Sequence, residues 1–420
     1  MTIHLFEHAS VFDGVNEELL DDHHVLVEDN RIREVSDRPI TGVEADIIDC
    51  RGKTLMPGMI DAHVHVYVAD LEGWLTKAPA TYYAQYAGKF LNHILMCGFT
   101  TVRDIAGGDH GLAMAIRKKF ITAPRFYYGG LALSQTGGHG DMRPSSEATP
   151  TCSCGAEFSY LSIICDGVDE CTKRVREELR KGAHHIKIMG SGGVMSPSDP
   201  IDRCQYSDAE ITAIVDECTR HGAYVAAHCH PDEAIRRCVE LGVRSIEHAT
   251  LITEPTAELM VERGAFTVPT FAVMGALHDP ATGRGASRRN REKLNAVYDY
   301  AFKGLEIMHA AGVKTGFGTD LLAHQHVLQG TEFTLRSQVL PAVDILRSAT
   351  SVNAELLGEE HQLGQIAPIL RRPACRKRQP AQEYRAAGIE RRRHRRHHAK
   401  RGTYSLTPRI EVALLNLRHF

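Results

Sequence analysis

Apolar residues follow two rhythms along this chain. Through residues 1–57, short runs of Val, Ile and Leu are separated by polar positions and tight turns. Val25-Leu26-Val27-Glu28 and Arg31-Ile32-Arg33-Glu34-Val35 flank Asp29-Asn30, a pair suited to a hairpin. This predicts a small β-rich unit. After Pro57-Gly58, short apolar runs alternate with helix-length stretches, the pattern of parallel β/α units. The predicted strands end near Met59-Ile60-Asp61-Ala62-His63, Thr101-Val102-Arg103-Asp104, Phe126-Tyr127-Tyr128-Gly129-Gly130 and His185-Ile186-Lys187-Ile188-Met189. Four more end near Tyr224-Val225-Ala226-Ala227-His228, Ser245-Ile246-Glu247-His248, Phe266-Thr267-Val268-Pro269-Thr270 and Thr315-Gly316-Phe317-Gly318-Thr319-Asp320. Helices are predicted between most of them, including Asp208 to Arg220 and Pro231 to Leu241. Eight such units predict a closed (β/α)8 TIM barrel over residues 58–357, with its active site at the C-terminal strand ends.

Composition narrows the picture. A chain of 420 residues, 43% hydrophobic and 24% charged, has room for a barrel-sized domain plus a smaller companion. No stretch approaches the roughly 18 consecutive apolar residues of a membrane span, and Glu7, Asp13, Glu17 and Glu18 stand where a secretory signal would be apolar. A soluble, cytoplasmic protein is expected. The 11 cysteines are odd in number and lack paired Cys-x-x-Cys spacing, so reduced thiols are expected rather than a structural zinc site.

Charge is uneven. Residues 369–420 carry 15 Lys plus Arg against three Glu, a balance of plus 12, which leaves minus 15 for residues 1–368. Residues 358–420 therefore form a C-terminal segment that turns atypical at about 369. The run Arg391-Arg392-Arg393-His394-Arg395-Arg396-His397-His398 admits a solvated tail, an anion- or nucleic-acid-binding tail, or a segment read in a shifted frame. In the last case the N-terminal β-unit would lack partner strands from the C-terminus.

The histidines, 24 in all, point to a metal. His63 and His65 stand two apart at the end of a strand and face the same way. His228 and His248 end two further strands and Asp320 ends another, while Lys187 lies inside an apolar strand where an unpaired ammonium is costly.

Pro57-Gly58-Met59-Ile60-Asp61-Ala62-His63-Val64-His65, Lys187, His228, Ser245-Ile246-Glu247-His248 and Gly318-Thr319-Asp320 together resemble the amidohydrolase superfamily over residues 50–367. The resemblance is to the form with two divalent ions bridged by an N6-carboxylated lysine. It implies that His63, His65 and Asp320 hold one ion, that His228 and His248 hold the other, and that carboxylated Lys187 joins them. Oxygen and imidazole ligands admit zinc, manganese or cobalt, and the resemblance implies zinc. It also implies a small β-sandwich beside the barrel, formed by the N-terminal and normally the C-terminal segment. Two ions make hydroxide from a bridging water at neutral pH, and Asp320 is placed to act as general base and then acid.

The stretches from Leu133 to Arg143 and from Gly190 to Pro200, with His139 in a glycine-rich loop after the third strand, resemble the branch holding prolidases, other dipeptidases and amidases of N-acyl amino acids. By that resemblance His139 approaches the scissile carbonyl or the substrate carboxylate. His230 shares the face of His228 and suits substrate binding, where prolidase-like relatives would carry a tyrosine. Arg103 and Asp104 are expected to pair as a structural salt bridge. The expected reaction is hydrolysis of a small substrate, an Xaa-Pro dipeptide, by the metal-bridging hydroxide. Alternatives are amides of N-acyl amino acids or ochratoxin-type toxins, or Xaa-Arg/Lys dipeptides. A nucleic-acid-binding protein acting through its basic tail would leave the ligand set unexplained. A homo-oligomer is left open.

Overall fold

The computed structural model describes residues 2–71, 78–143, 161–196, 199–283, 287–368 and the strand Val412–Leu415. The basic run 391–398 lies outside the described residues.

The N-terminal unit is one sheet built from β1 (Ile3–Val11), β2 (Leu20–Glu28), β3 (Arg31–Ser36), β4 (Asp46–Asp49) and β5 (Thr54–Pro57). β1 and β2 pair antiparallel, and β2 turns into β3 through Asp29, whose φ of 52° is left-handed, as the predicted hairpin requires. Phe6, Val11, Val25, Val27 and Leu55 close its core. Val412–Leu415 pairs antiparallel with β5. The frame-shift reading left this edge without a C-terminal partner, and the structure differs. Amid the arginines, Val-Ala-Leu-Leu is the kind of apolar run that a sheet edge accepts.

The rest is mixed α/β with parallel strands. β6 (Met59–Val64), β7 (Phe99–Asp104) and β8 (Arg125–Tyr128) form one sheet. The other contains β9 (Ala132–Ser134), β10 (Ser162–Ile164), β11 (His185–Met189), β12 (Tyr224–Pro231), β13 (Ser245–Leu251), β14 (Phe266–Val268) and β15 (Lys314–Thr315). Hydrogen bonds link the sheets at both sides: His184 N to Tyr128 O at 2.9 Å, and Ala62 N to Phe317 O at 2.9 Å.

Helix Asp208–Arg220 falls where the sequence places it, started by a Ser207–Glu210 capping box. Its successor runs Asp232–Glu240, one residue shorter at each end than predicted, with Pro231 as its N-cap. Large apolar side chains from these helices and from β11 to β13, such as Ile186, Ile211, Ile235 and Ile246, fill the main core. The last predicted strand is ladder-paired only at Lys314–Thr315. Beyond it Gly318 passes close to β6, where a Cβ would sit 2.6 Å from that of His63.

Candidate active site

The strand ends converge. His63, His65, Lys187, His228, His230, His248 and Asp320, together with His139, all line one open cavity of about 850 Å³. His228 and His230 reach it from alternate positions of β12, as the two-residue period of a strand demands. Ligand atoms of His63, His65 and Asp320 lie within 4.8 Å of one another. The rings of His228 and His248 are 4.7 Å apart between centroids, and His63 lies 5.1 Å from His248.

Most of the imidazoles are braced on their Nδ1 side, while His228 turns Nε2 to the Gly192 carbonyl at 3.2 Å. His63 Nδ1 meets Glu247 Oε2 at 2.7 Å, and His65 Nδ1 meets the Ala106 carbonyl at 3.0 Å. Both partners only accept, so in the neutral rings Nδ1 donates and Nε2 keeps its lone pair. Those Nε2 atoms stand 3.5 and 3.2 Å from Asp320 Oδ1. His248 Nδ1 pairs with Thr270 Oγ1 and His230 Nδ1 with Thr250 Oγ1, each at 2.8 Å. With Nδ1 of His63 and His65 held from behind and their Nε2 atoms facing the Asp320 carboxylate, this trio is suited to a divalent cation, so the residues present fit a metal site.

Lys187 is buried at 3% exposure, and among the described residues none hydrogen-bonds its nitrogen. Burial pushes its ammonium down to about 8, so a neutral amine is within reach near physiological pH. Backbone geometry is also unusual here: His248, Ala249 and Asp320 adopt left-handed φ of 71°, 49° and 52°. Asp61 helps hold the last of these, accepting from Thr319 N at 3.1 Å and Thr319 Oγ1 at 2.7 Å.

The expected Arg103–Asp104 pair does not form. Arg103, fully buried, reaches across the strands to Glu247, with Nη2 at 2.9 Å from both carboxylate oxygens. Asp104 instead accepts backbone N–H bonds from Val66 at 2.8 Å and Gly108 at 2.7 Å. Neighbours on a strand point to opposite faces, so these two side chains were never placed to meet. Burial alone would raise the Glu247 carboxyl, but the Arg103 charge and the His63 bond hold it well below the usual carboxylate range. Glu247 thus stays anionic and fixes the His63 ring. Its signal in the sequence was a charge inside the apolar run Ser245-Ile246-Glu247, which needs a buried partner.

His139 stacks on His228 with centroids 4.1 Å apart. Its Nδ1 lies 2.9 Å from Ser196 Oγ and 3.5 Å from Asp199 Oδ2, and Lys293 approaches the other oxygen of Asp199 at 3.7 Å. Lys293 also donates to the Gly193 carbonyl at 2.8 Å. Sequence reasoning missed Asp199 and Lys293, which are remote from each other in the chain. Gly193 makes the stacking possible, since a Cβ there would stand 2.6 Å from both His139 Nε2 and His228 Nε2. The remaining walls are apolar, with Val194, Met195, Val273, Met274, Leu277 and Leu294 prominent.

Braced imidazoles and a carboxylate at parallel strand ends define, as a class, an α/β enzyme site able to hold divalent ions. The chain belongs to the amidohydrolase family, whose model matches residues 54–369. Ochratoxinase from Aspergillus niger is 33% identical over 331 residues, 76% of this chain and 67% of that protein. A solved prolidase, complexed with N-methylphosphonate-L-proline, is 44% identical with a TM-score of 0.84, covering 87% of this chain and 90% of that one. A Xaa-Pro dipeptidase with bound methionine in its active site is 27% identical with a TM-score of 0.79, covering 87% and 91%. This chain is accordingly a hydrolase acting on amide bonds of small substrates. Among the described residues no helix is long and apolar enough to cross a membrane.

Proposed function

We propose that this chain is a metal-dependent dipeptidase that cleaves Xaa-Pro dipeptides. In this reading the parallel strands close into a (β/α)8 barrel over residues 58–357, and the N-terminal sheet belongs to a small β-sandwich. His63, His65, Lys187 in its N6-carboxylated form, His228, His248 and Asp320 would hold two divalent ions, with zinc as the occupant. Bound ions supply Lewis acidity for the scissile carbonyl and for water.

The chain's own side chains do the rest. Asp320 takes the proton from water at its carboxylate and passes it to the leaving nitrogen. The Nε2 side of His139, braced from behind by Ser196 and Asp199, binds the substrate carbonyl or carboxylate. His230, tied at Nδ1 to Thr250, presents Nε2 one step from His228. The apolar wall holds the N-terminal side chain and excludes water. The single observation that carries the reading is the 44% identity to a prolidase combined with these donors lining one cavity.

A second reading, hydrolysis of N-acyl or ochratoxin-type amides, is favoured by the apolar wall and by the ochratoxinase relative. Zinc-reconstituted protein assayed on Xaa-Pro dipeptides, other dipeptides and N-acyl amino acids separates the two. The proposal expects the highest kcat/KM on Xaa-Pro. Faster cleavage of N-aroyl amino acids than of any Xaa-Pro dipeptide would overturn it.

A further inference from the structure

The N-terminal sheet contains a second cluster of metal donors. His8, Asp22 and His24 offer one ligand atom each, all within 4.8 Å of one another, in a unit that contributes nothing to the catalytic cavity.

Two irregularities of the β1–β2 ladder create it. Between the pairs Phe6↔Val25 and Ala9↔His23, β1 has one residue more than β2. Between Ala9↔His23 and Val11↔Leu20, β2 has one more. The extra residues are accommodated where His8 and Asp22 take left-handed φ of 59° and 51°. These paired bulges bring His8 Nδ1 within 2.7 Å of Asp22 Oδ1 and set the His8 ring 5.0 Å from that of His24.

His24 is the observation that calls for a ligand. It is buried at 2% exposure and its Nδ1 is without a hydrogen-bond partner. An unpaired buried polar atom destabilises the fold, and a bound ion would remove that cost. The nearby cation Arg51 is engaged with Asp49 at 2.8 Å.

We propose that His8, Asp22 and His24 form a structural binding site for a divalent transition-metal ion, completed by water and separate from the catalytic centre. Two imidazoles and one carboxylate suit zinc or cobalt and fall short of the oxygen-rich shell that calcium takes. Bound there, the ion staples β1 to β2 across their bulges and stabilises the small unit by mass action.

The test uses the full chain with His8→Gln and Asp22→Asn. Side-chain exposures of 29% and 74% make both substitutions tolerable to the fold. Cobalt is titrated into chelator-stripped wild type and variants, with bound equivalents counted by metal analysis and the visible spectrum. The wild type is expected to bind one equivalent more than either variant and to gain a larger upward shift in melting temperature at saturating metal, with the three proteins equal in hydrolytic activity. Equal stoichiometry and equal thermal shifts in all three proteins would overturn the proposal.

Discussion

Replacing Glu247 with Gln probes how the protein aims its first imidazole. The carboxylate is fully buried and accepts from His63 Nδ1 at 2.7 Å, from Ser245 Oγ at 2.6 Å and from Arg103 Nη2 at 2.9 Å on each oxygen. Each oxygen therefore faces donors only. The amide keeps the shape but must turn its NH2 toward Arg103 and either His63 or Ser245, and it leaves a buried guanidinium without a counter-ion. Breaking a buried pair this way costs about 3 to 5 kcal/mol. That is a large share of the roughly 5 to 15 kcal/mol that keeps a domain folded. Loss of the brace behind a ligating histidine also weakens metal affinity by about 10- to 100-fold. Urea unfolding of the apoprotein reads the first effect, and competition for zinc against a chromophoric chelator reads the second. Arg103→Met is the control: it disrupts the same ion pair but leaves a carboxyl behind His63, so stability falls while metal affinity moves less. An unchanged zinc affinity in Glu247→Gln, or equal affinity losses in the two variants, would refute the assigned role.

Lys187→Ala should abolish turnover, and propionate added at high concentration should restore part of both activity and metal content by supplying an anionic oxygen donor. Asp320→Asn should reduce kcat by at least about 100-fold while leaving the melting temperature close to wild type, because the amide cannot accept the proton. Gly193→Ala should drive His139 off His228 and cost about 100-fold in kcat/KM, as small misplacements do, with circular dichroism unchanged. Glu217 accepts from Arg176 at 2.9 Å and from Arg220 at 2.5 Å, and chiefly the Arg176 bond lowers its carboxyl to about 2. A depressed carboxyl stabilises the fold above its ordinary value near 4.5 and loses that contribution as pH falls toward 2. Because Arg176 and Arg220 are each 61% exposed, solvent screening limits the effect. Glu217→Gln should cost about 1 kcal/mol at pH 7 and progressively less in unfolding titrations run below pH 4.

Much of the site was legible because its residues terminate apolar runs. A polar residue at the end of a strand is conspicuous in one dimension, and His63, His228, His248 and Asp320 all announce themselves so. What supports them was hidden. Arg103 and Glu247 lie 144 positions apart, and no local period joins them. Lys293 reaches Asp199 from a different element, and each reads alone as an ordinary surface charge. β9 and β10 are three-residue strands, too short to establish a period. The bulges beneath His8 and Asp22 depend on the register between β1 and β2, which the sequence of either strand does not contain.

The left-handed backbone at His248, Ala249 and Asp320 has a consequence for anyone who would improve this protein. Side chains other than glycine give up on the order of 1 kcal/mol each to stay in that region, so the folded chain is strained at His248 and Asp320, which line its cavity, and at Ala249 next to His248. Glycine at 249 or 320 would release strain, and at 320 it would also erase the carboxylate. A selection that rewards heat resistance alone will therefore accumulate variants that are sturdier and inert, and thermostabilisation of this fold has to be screened on turnover from its first round.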